Sequence, residues 1–184
     1  MKEPTPLELA SRLGLRVEGL RAHGSFAGRP VELRVHAHNT SLSVKVTAPI
    51  TPALDLGLDI GHRLLAPAAP MRTLGDPEID AEFFVHADEI ARVRRLFGEE
   101  LRAHVVATNR ASLEMRIKDD ACVLGAREPL HTLDVGWTER ALVASTKGAA
   151  LVEAARAHVP AAHRLADAAD ELERYARSNG ARFS

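Results

Sequence analysis

Gly75 to Val106 reads GDPEIDAEFFVHADEIARVRRLFGEELRAHVV, and it holds the clearest strand-to-helix transition in the chain. Glu82-Phe83-Phe84-Val85-His86 is short, aromatic and β-branched, the composition of a buried strand. Asp88 comes next as a candidate N-cap. Ile90, Val93, Leu96 and Phe97, then Leu101 and Val105 beyond Gly98, recur at helical spacing. Most of the chain before this unit alternates with period two, and most of the chain after it repeats with period 3.6. A strand and helices over 82–106 therefore divide a β-rich half from a helix-rich half, and they carry no catalytic signature.

The flanking pieces agree with that division. Thr5-Pro6-Leu7-Glu8 is a capping box with proline at the first helical position, so a helix is expected over 5–14, closed by Gly14. Val31, Leu33, Val35 and Ala37 alternate with Glu32, Arg34, His36 and His38. Leu42, Val44, Val46 and Ala48 continue the apolar face beyond Asn39-Thr40. A two-residue turn there sets Ala37 opposite Leu42, Val35 opposite Val44 and Leu33 opposite Val46, one register that satisfies every apolar position. Leu54, Leu56, Leu58 and Ile60 repeat the alternation, so β hairpins are expected over 15–62.

Residues 63–81 hold Pro67, Pro70 and Pro77 with no sustained period and are expected to form a loop, Asp76-Pro77 being its turn. A second hairpin is expected over 112–137, from Leu113, Met115 and Ile117 through Asp119-Asp120 to Leu124, with one more edge strand from Pro129. Helices fill 138–178: one capped by Thr138, running toward Lys147 and weakened at Gly148, with Ala149 to Val159 helical beyond it, and a second from Pro160. The whole, residues 1–184, reads as a single α+β domain, an antiparallel sheet with a central helical unit and C-terminal helices.

Composition bounds the function. The 184 residues are 46% hydrophobic but only 4% aromatic, and the net charge is −1. No strong field draws in nucleic acid or an anionic membrane, and no apolar run is long enough to span a bilayer. Only Lys2, Lys45, Lys118 and Lys147 among the 24 cationic residues are lysines, the bias of a GC-rich bacterial genome. Cys122 is the single cysteine, and Lys2-Glu3-Pro4 leads directly into a capped helix, so a cytoplasmic protein is expected.

From Gly75-Asp76 through Ile79-Asp80 to Phe83-Phe84-Val85 the chain resembles a motif of bacterial domains of unknown function. There, Gly-Asp and a Phe-Asp pair precede a Phe-x-Val strand and a short helix. Ile79 stands where the aromatic of the pair is usual, and Phe83 and Val85 keep the Phe-x-Val spacing. The resemblance implies packing and turn chemistry and no activity.

His36 and His38 share one face of a strand, so both imidazoles can approach one metal if Glu32, Asp55 or Asp59 supplies a further ligand. The plainer account is a wet sheet face filled with polar residues. Asp76, Glu78, Asp80, Glu82 and Asp88 lack the glycine and terminal glutamate of a calcium loop. Asp88 with Arg92 and Arg95 with Glu99 are i,i+4 pairs of a solvated helix. Cys122 reads as a small core residue, and as a nucleophile it needs His104 or His131 beside it. No phosphate loop, dinucleotide fingerprint or HExxH occurs, and no cofactor is expected.

These features point to a non-enzymatic cytosolic domain that binds another protein or itself. Its contact is expected on the last helix at Leu165, Leu172 and Tyr175, in an alanine-rich stretch too thin to bury much area by itself. The alternative is a small-molecule or metal-dependent enzyme with its site near His36 and His38.

Overall fold

The computed structural model describes residues 5–37, 42–66, 71–111, 113–126 and 136–159. In chain order the elements are α1 (Pro6–Arg12), β1 (Arg16–Glu18), β2 (Arg21–Phe26), β3 (Arg29–Ala37), β4 (Leu42–Pro49) and β5 (Asp59–His62). Then come α2 (Pro77–Glu82), β6 (Phe83–His86), α3 (Ile90–Leu96), α4 (Glu99–Arg110), β7 (Leu113–Lys118), β8 (Ala121–Ala126) and α5 (Trp137–Arg156). The strands form one antiparallel sheet in the order β1-β2-β3-β4-β8-β7-β5-β6. This is a single α+β domain, the expected class.

Alternation decides the sheet's two faces. Leu33 pairs with Val46 and Val35 with Val44, the register that turns Val31, Leu33, Val35, Val44 and Val46 inward together. Cys122, Leu124, Met115, Ile117 and Ile60 extend the same buried face across β8, β7 and β5. Onto it α5 packs along β4 and β8, with α4 over β7 and α1 against α5, β1 and β2. The turn residues Asn39-Thr40 lie outside the described residues, as do His38, most of the edge strand expected from Pro129, and the helix expected from Pro160.

At the N-terminus the capping box is formed: the Thr5 hydroxyl accepts the Glu8 N–H at 3.3 Å, and the Thr5 N–H donates to the Glu8 carboxylate at 2.6 Å. Four other expectations are corrected. Leu54, Leu56 and Leu58 are buried but not in a strand; only Asp59–His62 is. Asp55 and Gly57 have φ of 53° and 61°, which breaks any extended run. The carboxylate of Asp119 instead takes the N–H groups of Leu56, Gly57 and Leu58 at 2.9–3.0 Å.

Residues 63–81 are not simply a loop. They carry a 3-10 turn at Arg63–Leu65 and the helix α2, whose N-cap Asp76 accepts from Glu78 and Ile79 at 2.9 and 3.2 Å. With Pro77 at the first helical position, Asp-Pro here opens a helix rather than a turn, and Glu82 ends that helix instead of starting β6.

Asp88 does not cap α3. Glu89 holds the N-cap position without a side-chain bond, and Arg92 pairs with Glu89 at 3.1 Å rather than with Asp88. Finally, α5 is one helix of 20 residues that passes through Gly148, and Thr138 lies inside it, buried. The glycine marks contact: a Cβ there would stand 2.8 Å from Sγ of Cys122, so its absence lets the helix lie close on β8.

Candidate functional site

The face of β2, β3 and β4 turned away from the helices is polar. Arg21, Glu32, Arg34, His36, Ser43, Lys45 and Thr47 are half-buried to exposed on it. Glu32 is shared by two arginines, Arg21 at 2.7 Å and Arg34. The hydrogen bond from Arg34, with the charge of Arg21 added, holds the Glu32 carboxyl below its ordinary value against the opposing effect of its partial burial.

His36 stands on this face opposite Ser43. Two of its proposed co-ligands are held elsewhere. Glu32 is already engaged by Arg21 and Arg34. Asp59, on β5, is separated from β3 by β4, β8 and β7, about 19 Å at ordinary strand spacing. Asp59 is held by Arg116 through two hydrogen bonds, one of 2.6 Å, and that guanidinium lies 5.6 Å from the centroid of Phe84. Among the described residues no three His, Cys, Asp or Glu side chains converge to hold a metal ion.

The ring of Phe84 is fully buried although it belongs to this outer side of β6. Its partner across the ladder is Gly61, where a Cβ would meet the ring at 2.9 Å. Arg116 and His86 flank the ring, and the Nε2 of His86 is buried without a hydrogen-bond partner among the described residues. One end of the outer face is thus an aromatic with a cation over it, and the other is a lattice of exposed charge. The sequence signal for this end was Phe83-Phe84, in which consecutive aromatics must point to opposite faces.

The structure brings His104 and Cys122 into one neighbourhood, on either side of Gly148. It also disarms them as a nucleophile and base. Burial pushes the Cys122 thiol up to about 12, leaving almost no thiolate at neutral pH. The Nε2 of His104 lies 2.9 Å from the carbonyl of Ala144, an acceptor that only an N–H satisfies, so its proton is held there. Burial also lowers the His104 pKa, which keeps the ring neutral. His131, the other candidate base, and the candidate contact residues Leu165, Leu172 and Tyr175 lie outside the described residues.

Among the described residues no helix is long and apolar enough to cross a membrane. No protein-family model matches the chain, and no curated protein does. A solved structure is similar in fold: the crystal structure of the mycobacterial trehalose monomycolate transport factor A, with a TM-score of 0.60. The match covers 80% of this chain and 92% of that one at 10% sequence identity. At that identity the likeness is one of fold.

Proposed function

We propose that this protein is a non-catalytic, cytosolic accessory domain that acts by binding a protein partner or a second copy of itself. The observation that carries the reading is the two-sidedness of the sheet. The inner face of β3 and β4 is closed by α5, while Arg21, Arg34 and Lys45 stand exposed on the outer face, a polar surface of the kind that forms an interface rim. The pair of a buried Cys122 thiol and a half-buried, neutral His104 supports a structural rather than a catalytic use of the interior. The similar structure belongs to a protein named as a transport factor, in keeping with an accessory role.

The contact is proposed to run through Leu165, Leu172 and Tyr175, whose apolar stripe needs more area than its alanine neighbours supply. Replacing Leu165 and Leu172 together with Glu is expected to lower the solution mass in analytical ultracentrifugation, or to abolish partner capture, with the circular dichroism of the sheet retained. A wild type that sediments as a monomer and copurifies with nothing, combined with a double variant that unfolds throughout, would make these residues core and remove the proposal. Stoichiometric zinc in the native protein, lost on replacing His36 and His38 with Thr, would instead favour the metal-dependent enzyme.

A further inference from the structure

Where the loop after β4 meets α3 and the end of α5, the surface folds inward to a cleft of about 220 Å³. Leu54, Leu56, Leu96 and Val159 line it, and two arginines, Arg92 and Arg156, join them. Leu54, Leu56 and Leu96 are buried at 8%, 2% and 0% exposure, so the cleft has an aliphatic floor built into the core. Its volume exceeds the roughly 150 Å³ of an engineered apolar cavity that accepts benzene, so it admits a short hydrocarbon chain.

The arginines give it a polar end. The side chain of Arg92 is only 12% exposed; one terminal nitrogen reaches Glu89 at 3.1 Å, and its Nε is buried with no partner among the described residues. A buried donor left unmade is costly, and such a group in a native fold calls for an acceptor. Arg156 donates one N–H to the carbonyl of Pro52. A guanidinium carries five donors, so both arginines keep N–H groups beyond these bonds. Glu89 is engaged by Arg92, and Glu153 by Arg29 and the Thr51 N–H, although the charge of Arg156 also reaches Glu153.

We infer that the cleft binds a small aliphatic monocarboxylate, its carboxylate on Arg92 and Arg156 and its chain against Leu54, Leu56 and Leu96. The two-part lining selects the ligand. A purely apolar molecule leaves the Nε of Arg92 without an acceptor, and a bare anion leaves the aliphatic floor unfilled. A carboxylate accepts from two guanidinium groups at once, and charge-assisted bonds of this kind are roughly twice as strong as neutral ones.

The test is a titration of the full chain, isotope-labelled, with sodium hexanoate, 1-hexanol and sodium acetate, tracked through its backbone amide resonances. Hexanoate is expected to saturate, with the largest shifts at Leu54, Leu56, Leu96 and Val159. Hexanol and acetate, each lacking one half of the match, are expected to bind at least tenfold more weakly. Arg92→Met, which keeps the stem and removes the charge, is expected to weaken hexanoate at least tenfold while leaving hexanol unchanged. Should Arg92→Met disturb the fold, Arg156→Met provides the same comparison from the other side of the cleft. No saturable shift with hexanoate, equal binding of hexanoate and hexanol, or shifts centred elsewhere would each overturn the inference.

Discussion

The carboxylate of Asp119, at the tip of the β7–β8 hairpin, accepts the backbone N–H of Leu56 at 3.0 Å. The two residues are 63 positions apart in the chain. The same carboxylate takes the N–H groups of Gly57 and Leu58, and the Asp119 carbonyl takes that of Leu54 at 2.8 Å. One side chain therefore supplies the partners that a neighbouring strand would supply to a β-ladder. It lets an irregular segment bury Leu54, Leu56 and Leu58 without stranding its amides.

Asp119→Ala removes three charge-assisted hydrogen bonds at once, two of them from part-buried amides. Replacement is expected to cost about 2–3 kcal/mol, and Asp119→Asn about half of that, since the amide keeps one acceptor oxygen but no charge. Urea melts with an unchanged m-value measure the loss as a drop in midpoint. A cost below about 0.5 kcal/mol would show that water serves these amides equally well.

The same geometry explains which parts of the fold were legible. The Leu33–Val46 register could be read because one buried face and a short turn fix it locally. The Leu54 to Ile60 alternation has identical form but a different cause, and nothing in those residues betrays the distant carboxylate that replaces a ladder. Asp76-Pro77 carried both a turn signal and a helix-start signal, and only the burial of Ile79 in the core selects the helix. For the candidate site, the sequence sets His36 and His38 on one face. The insertion of β8 and β7 between β4 and β5, which carries Asp59 out of reach of His36, is a choice of topology that period-two patterns do not encode. The arginine-capped cleft was equally hidden, since Leu54, Arg92 and Arg156 come from three separated segments.

Gly148 reverses an ordinary rule. In an exposed helix, Gly→Ala is worth up to about 1 kcal/mol of added stability. Here the new methyl would lie 2.8 Å from Sγ of Cys122, with the Nε2 of His104 and the Cε of Met115 each at 3.5 Å. Gly148→Ala is therefore expected to destabilise by about 1–3 kcal/mol, the range for overpacking a core. Adding Cys122→Ala removes the sulfur and should recover much of the loss, a coupling that a double-mutant cycle isolates. Stabilisation by Gly148→Ala alone would show that α5 does not lie this close to β8.

Glu153 is a polar tie between α5 and the sheet side of the molecule. Its carboxylate pairs with Arg29 at the start of β3 and accepts the Thr51 N–H at 2.9 Å, beyond the end of β4. The hydrogen bond from Arg29 is the main cause that holds the Glu153 carboxyl below its ordinary value of 4.5; the Thr51 N–H helps, and burial opposes both. That depression sets the sign of the pH effect. A carboxyl whose pKa is lower folded than unfolded stabilises the fold above the unfolded value, and the contribution disappears as pH falls through the folded value. Glu153→Gln should therefore lower the urea midpoint at pH 7, while the gap between variant and wild type narrows below about pH 4.5 and closes as pH falls further. Because both partners are about a quarter exposed, the loss at pH 7 is expected to stay near 1 kcal/mol. A gap that stays constant from pH 7 to pH 3 would mean that Glu153 contributes by packing alone, and that its charge does not tie the helix to β3.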